Sequence, residues 1–199
     1  MHIGFFADGY LPHGHGFAVS IESFRKELEA RGHLVWIFVP SAPGYQDSHA
    51  RTVRFPSIRV TSRPPIRLAV PFYRLKLPPL DIVHTHSPAT MGILGSRVAK
   101  KRNVPHVYTS HADLINSARY YLLREPVVLP AMARWLTRWF GQQADHIIAP
   151  SPKIDRDLRR IGITQPITVL PTGIDISTFT RTEENEHRGE TLRSQHKIP

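Results

Sequence analysis

The chain has 199 residues, of which 41% are hydrophobic and 21% charged, and it contains no cysteine. That composition excludes a disordered chain, a disulfide framework, thiolate metal sites and thiol nucleophiles, and it fits a reducing compartment. With 26 Lys+Arg against 16 Asp+Glu the net charge is +10, which points to an anionic partner: nucleic acid, phosphosugar or anionic membrane.

Residues 2–7 (HIGFFA) form an apolar run of strand length. Asp8 follows at once, so no secretory signal is expected there, and no run approaches the ~18 apolar residues of a membrane span. A glycine-bearing loop, DGYLPHGHG, leads to Phe17, Ile21, Phe24 and Leu28. Their spacing predicts a helix over 17–31, stopped by Gly32. Glu22 and Lys26 lie one turn apart on its polar side. LVWIFV (34–39) predicts a second strand and RTVRF (51–55) a shorter third.

Between Asp47 and Asp81 no acidic residue occurs. The stretch holds Arg51, Arg54, Arg59, Arg63, Arg67, Arg74 and Lys76, together with Pro56, Pro64, Pro65, Pro71, Pro78 and Pro79. Proline at this density makes a poor helix and a poor central strand. Most of the segment is therefore expected to be a long surface excursion, either a solvated loop or an electrostatic platform for anionic lipid or phosphate.

IVHTH (82–86) predicts a fourth strand. A helix over 89–102 ends in Lys100, Lys101 and Arg102, cations that suit the negative end of the helix dipole. VPHVYTS (104–110) predicts a fifth strand. Segment 118–140 mixes aromatics with Arg119, Arg124, Arg134 and Arg138, and a helix is expected over 131–143. Its aromatic stripe suits either the core or a basic, membrane-facing surface. HIIAP (146–150) predicts a sixth strand. Ser151 and Pro152 suit the cap and first position of a helix over 152–161, closed by Gly162. ITVLP (167–171) predicts a seventh strand. From Ser177 onward no apolar periodicity survives, which divides the chain into a domain at 1–176 and a polar stretch at 177–199, either an interdomain linker or the start of a further C-terminal domain.

Apolar strands alternating with helices imply an α/β fold: a doubly wound parallel sheet, Rossmann-like, with right-handed crossovers. In such a sheet the ligand crevice lies beyond the carboxyl ends of the strands. The unusual polar residues fall there: Asp8 to Gly16; His84, Thr85, His86 and Ser87; Thr109, Ser110, His111 and Asp113; Ser151; and Thr172, Gly173 and Asp175. Gly14-His15-Gly16 opening a helix is either a phosphate-binding loop or a plain tight turn. It is not a GxGxxG fingerprint, which disfavours a dinucleotide. His84 and His86 share one face of a strand, as metal ligands or as one buried and one cleft-lining imidazole. His111 sits where a ligand would meet it.

The order of motifs resembles the N-terminal domain of GT-B fold, family 4 retaining glycosyltransferases. The residues that carry the likeness are IGFFADGYLPHGHGFAVSIESFRKELEARGHLVWIFVP, DIVHTHSPATMGILG, YTSHADL, DHIIAPSPKIDRDL and VLPTGID, in order through about residues 2–179. Within the family they look most like lipid glycosyltransferases, such as glucosyldiacylglycerol synthases and phosphatidylinositol mannosyltransferases. The resemblance implies transfer of a hexose from a UDP- or GDP-sugar to an acceptor hydroxyl with retention, the acceptor being a lipid or a sugar. His111 would lie beside the transferred sugar as the catalytic-site histidine. Gly14, His15 and Gly16 would form the donor diphosphate loop, although the family usually has asparagine where this chain has His15. His86, Ser87 and Asp113 would line the acceptor cleft, and Ser151, Thr172, Gly173 and Asp175 would belong to the interdomain stretch.

The family keeps most of its donor site, including a pair of glutamates, in a second Rossmann-like domain. Glu183, Glu184 and Glu186 do not substitute for that pair. The resemblance therefore implies half an enzyme, inactive alone, whose second domain is supplied in cis or in trans. It also implies no metal and no resident cofactor, and no nucleic acid partner. The location would be cytoplasmic, peripheral on the inner face of the plasma membrane. Arg63, Arg67, Arg74, Lys76, Arg134 and Arg138 are the candidate membrane or anion surface. Two alternatives remain: a non-catalytic anion- or nucleic-acid-binding α/β module, and a metal-dependent hydrolase using His84 and His86.

Overall fold

The computed structural model describes residues 1–12, 16–60, 67–70, 76–111, 128–173, 180 and 182–196. Strands β1 (His2–Phe6), β2 (Leu34–Pro40) and β3 (Thr52–Phe55) pair in parallel. A separate antiparallel pair joins β4 (Ser57–Arg59) to β5 (Arg67–Ala69). Strands β6 (Ile82–Thr85), β7 (His106–Thr109), β8 (His146–Ala149) and β9 (Ile167–Val169) complete a seven-stranded parallel sheet in the order β3-β2-β1-β6-β7-β8-β9. Helices α1 (Gly16–Ala30), α2 (Thr90–Arg102), α3 (Val128–Gly141) and α4 (Pro152–Arg160) lie in the crossovers, and α5 (Glu183–His196) follows the last strand. The doubly wound sheet expected from the sequence is the sheet observed.

Alternation along β1 and β2 sorts side chains to two faces. Ile3, Phe5, Val35, Ile37 and Val39 pack with Ala18 and Ile21 of α1. Phe6, Phe38, Phe55 and Val83 pack on the other face with Met91 and Ala99 of α2. A third cluster gathers Tyr108, Phe140, Ile147, Leu158 and Ile163. Each fully buried side chain of this kind contributes about 1.5–3 kcal/mol. Truncating the fully buried Phe5 to alanine would cost about 3–5 kcal/mol, because the sheet cannot close the cavity. Ser151 caps α4 as predicted, accepting from the Ile154 amide at 3.4 Å. Glu22, expected beside Lys26, is held instead by Arg25 at 2.7 Å and by the Tyr10 hydroxyl.

Within the stretch from Asp47 to Asp81 the described residues include a short strand pair that its prolines do not predict. β4 and β5 pair there, with Ile58 opposite Leu68. Pro56 sits before β4, and neither β4 nor β5 contains a proline, so neither strand loses an amide. Several cations are also tied inward rather than solvated. Arg51 pairs with Glu29 at 2.7 Å, and Arg54 pairs with Asp47 at 2.7 Å beneath the rings of Tyr10 and Tyr45. The tail forms α5, none of whose residues is buried. Its first turn holds Glu183, Glu184 and Glu186 and its last turn Arg193 and His196, which matches the helix dipole at both ends.

Chain order reverses at β1: β2 and β3 lie on one side, β6 to β9 on the other. The crevice of such a sheet opens at this switch, beyond the carboxyl ends of β1 and β6.

Candidate functional site

Asp8, just past β1, crosses the switch point to α2. Its Oδ1 accepts from the Thr90 hydroxyl at 2.6 Å and the Met91 amide at 2.9 Å. Its Oδ2 accepts from the Ser87 hydroxyl at 2.6 Å and the Gly92 amide at 3.4 Å. α2 needs this outside partner. Its N-cap, Ala89, makes no side-chain cap, and its first turn holds no acid. The carboxylate thus satisfies the free amides and occupies the anion position at the helix N-terminus. Gly92 makes the approach possible, since a Cβ there would lie 1.7 Å from the Ser87 carbonyl oxygen.

Beside this contact three imidazoles cluster. His84 on β6 and His86 just past it face α1, with ring centroids 4.1 Å apart. His86 meets His111, which follows β7, edge to edge and nearly coplanar, with centroids 5.1 Å apart and 21° between planes. His86 Nδ1 and His111 Nε2 are 2.8 Å apart and share a hydrogen bond. His84 Nε2 bonds the Thr109 hydroxyl at 2.6 Å. Phe5 meets His84 and His86 at 5.1 and 4.9 Å in edge geometry, and Phe24 of α1 closes on His84. Phe17, in the first turn of α1, reaches His111 at 5.9 Å.

Burial keeps the cluster uncharged. It pushes the His84 pKa down to about 3 and that of His111 to about 4, and it holds His86 well below the ordinary imidazole range. Neighbouring imidazoles add to the effect at His84 and His86. Near neutrality the three rings therefore supply no fixed positive charge. His106 is a structural neighbour, bonded to the Thr85 hydroxyl at 2.9 Å and the Gln143 carbonyl at 3.1 Å. The metal-hydrolase alternative fits this geometry poorly. Thr109 and His111 each engage one nitrogen, of His84 and of His86 respectively, and no cluster of three metal-ligating side chains occurs among the described residues.

Of the residues expected at one cleft, the fold brings His86 and His111 into contact and places Gly16 one residue before Phe17, at the start of α1. A Cβ on Gly16 would meet nothing within 4 Å. Ser87 is present, but its hydroxyl donates to Asp8. Ser151 caps α4; Thr172 and Gly173 are exposed, and the Gly173 carbonyl accepts from Ser23 of α1 at 3.4 Å. Gly14, His15, Asp113, Asp175, Arg63 and Arg74 lie outside the described residues. Arg67 donates to Ser57, whereas Lys76, Arg134 and Arg138 are exposed. Sequence reasoning missed the roles of Asp8, Thr109 and Phe17. For Asp8 a signal exists: a helix with alanine at its cap and no acid in its first turn must find an acceptor elsewhere.

A family model described as Glycosyltransferase Family 4 matches residues 14–178. The chain belongs to glycosyltransferase family 4. The alpha-monoglucosyldiacylglycerol synthase of Streptococcus pneumoniae is 30% identical to it over 203 residues, covering 98% of this chain and 45% of that protein. A GDP-mannose-dependent alpha-mannosyltransferase of Mycobacterium tuberculosis is 28% identical over 194 residues, covering 90% of this chain and 49% of that one. Among solved structures, sucrose-phosphate synthase from Thermosynechococcus elongatus aligns with a TM-score of 0.68 at 17% identity, over 100% of this chain and 53% of that one. That likeness shows the fold. The chain spans about half the length of the curated relatives it matches.

These relatives are named as sugar-transferring enzymes, and they lend no support to the non-catalytic anion-binding or nucleic-acid-binding alternative. In this family 4 chain the amphipathic helix α3 divides its aromatics between core and surface. Ala133, Thr137 and Phe140 are buried, while Met132, Trp135 and Trp139 form an exposed stripe. The two Trp rings stack at 6.0 Å, with Trp135 63% exposed, and Arg134 and Arg138 flank them. Among the described residues no helix is long and apolar enough to cross a membrane.

Proposed function

We propose that this chain is the acceptor-side domain of a retaining hexosyltransferase, with residues 1–176 as the domain and 177–199 leading to a second domain that holds the donor, in cis or in trans. The donor is a UDP- or GDP-sugar and the acceptor is a membrane lipid hydroxyl. The observation that carries this reading is the meeting of His86 and His111 at the carboxyl ends of β6 and β7, beside the first turn of α1 at the switch point of a family 4 sheet. The exposed Met132–Trp135–Trp139 stripe with Arg134 and Arg138 supports a peripheral site on an anionic, cytoplasm-facing membrane.

In this mechanism the acceptor hydroxyl attacks the anomeric carbon on the face from which the nucleoside diphosphate departs, through an oxocarbenium-like transition state. Backbone amides around Gly14, His15 and Gly16 stabilise the departing diphosphate. His111, neutral and fixed by the cluster, orients the sugar and forms no adduct with it. Ser87 and Asp113 border the acceptor, and Ser151, Thr172, Gly173 and Asp175 belong to the interdomain stretch. No metal or resident cofactor takes part.

The test is transfer of labelled hexose from UDP-glucose or GDP-mannose to vesicles containing diacylglycerol or phosphatidylinositol, with the chain joined to its second domain. His111→Ala should lower kcat at least 100-fold, about 3 kcal/mol of transition-state stabilisation, with the urea midpoint little changed. An unchanged kcat would remove the role assigned to His111.

A further inference from the structure

A buried histidine with an unsatisfied nitrogen is an odd choice for packing. His86 is 3% exposed, and its Nε2 has no hydrogen-bond partner among the described residues. A phenylalanine would fill the same slot against Phe5 and His84 without stranding a polar atom. What phenylalanine could not do is meet His111 Nε2 at 2.8 Å. The ring of His86 is also gripped on every side that can be traced. His84 lies against its face at 4.1 Å, His111 abuts its edge in nearly the same plane at 5.1 Å, and Phe5 meets it in edge geometry at 4.9 Å. Its orientation is thus set before any ligand arrives, and so is the direction in which Nδ1 points.

We infer that His86 is a positioning residue that fixes both the ring orientation and the tautomer of His111. The inference rests on the proposed transferase reading, in which His111 faces the sugar. The proton count makes it strict. Both rings are neutral, so the bond between His86 Nδ1 and His111 Nε2 holds one proton. If His86 donates it, His86 is the Nδ1–H tautomer, and His111, accepting at Nε2, must carry its own proton on Nδ1. If His111 donates it, both rings are Nε2–H tautomers. Either way the two rings share one tautomer, so the sense in which the second nitrogen of His111, Nδ1, can bond a ligand is tied to the tautomer of His86. An isolated imidazole would exchange between the two. A sugar hydroxyl can be held as donor or as acceptor, so a ring locked in one sense selects one hydroxyl orientation. That selection is the kind of preorganisation that a transfer site requires.

The test reads tautomers directly, by nitrogen-15 long-range correlation spectra of the histidine rings in the 199-residue chain and in three variants. In the unsubstituted chain His86 and His111 should each show one tautomer, and the same one. His86→Phe keeps the packing and removes the bond, so His111 should lose its single-tautomer signature. His86→Asn places an amide where Nδ1 was and should restore that signature. His86→Gln carries its amide one methylene further out, away from His111, and should not. If His86→Phe fails to fold, the Asn and Gln pair carries the comparison.

In the transferase assay, His86→Phe should lower kcat about tenfold or more with KM nearly unchanged, and His86→Asn should recover most of the loss. Opposite tautomers in the two rings would overturn the inference. So would averaging at His111 in the unsubstituted chain, or an unchanged His111 signature in both His86→Phe and His86→Gln. The spectra need no substrate. A failure of sugar transfer with locked tautomers would therefore count against the transferase reading and leave the His86–His111 coupling standing.

Discussion

Acidification from pH 7 to pH 5 should destabilise this fold through its histidine cluster. In the native state burial holds His84 down to about 3 and His111 to about 4, so both stay neutral across that window. In the unfolded chain they protonate near 6.5. The unfolded state therefore binds more protons than the native state between those limits, and stability falls as pH falls. Each of the two rings should lose about 2 kcal/mol between pH 7 and pH 5, about 4 kcal/mol together. His86 adds to the loss in the same direction. Carboxylates do not confuse the window. Burial pushes Glu22 and Glu29 up, but hydrogen bonds from Arg25 and Arg51 outweigh it and hold both below 4.5, so their contribution disappears only at lower pH. The assay is urea unfolding followed by tryptophan fluorescence at pH 7, 6 and 5. With an m-value of about 2 kcal/mol/M, the midpoint should fall by about 2 M across the range. His84→Leu removes one of the titrating rings and should shrink the pH-dependent fall by about 2 kcal/mol, whatever it does to stability at pH 7. A midpoint that stays level or rises on acidification, or a variant with the same slope, would refute the argument.

Asp8→Asn replaces an acceptor by an amide facing four donors, and should cost about 1–3 kcal/mol of stability in the same urea assay; an unchanged midpoint would mean that α2 is capped otherwise. Gly92→Ala should fail to accumulate as folded protein, because the new Cβ would strike the Ser87 carbonyl. Gly16→Ala should keep its stability, having open space for the methyl, yet lower transfer by the assembled enzyme; equal rates would show that the loop needs no close backbone approach there. Neutralising Arg134 and Arg138 with glutamine should weaken binding to phosphatidylglycerol vesicles by about fivefold per charge, since each cation near such a surface is worth about 1 kcal/mol. Trp135→Ala should weaken it further without moving the urea midpoint, as the ring is exposed. Equal vesicle binding would leave the stripe of α3 without that role.

Much of this architecture follows from local pattern. The apolar runs at residues 2–7, 34–39, 82–86 and 146–150 each became a sheet strand, because strands buried on both faces must be continuously apolar. The helix periods at Phe17 to Leu28 and the Ser151–Pro152 cap read correctly because they are set within a turn or two of chain. With the strands in place, the rule that ligands lie beyond their carboxyl ends singled out His86, Ser87 and His111 before any contact was known. Other features resisted. β4 and β5 are three residues each and bordered by prolines, too short to show alternation, and their pairing is a tertiary event. Asp8 looks like an ordinary loop residue until α2 is brought against it across 82 or more positions of sequence.

The division is physical. Sequence alone determined which segments could be strands or helices and which strand ends would carry polar residues, since burial leaves a periodic imprint on composition. Only the tertiary structure decided that Asp8 completes α2, that α3 turns its tryptophans outward, and that His84, His86 and His111 cluster as neutral rings. Those depend on the register between β1, β6 and β7 and on the packing of α1 above them. No window of local sequence contains that register, because it is fixed by burying distant apolar faces against one another.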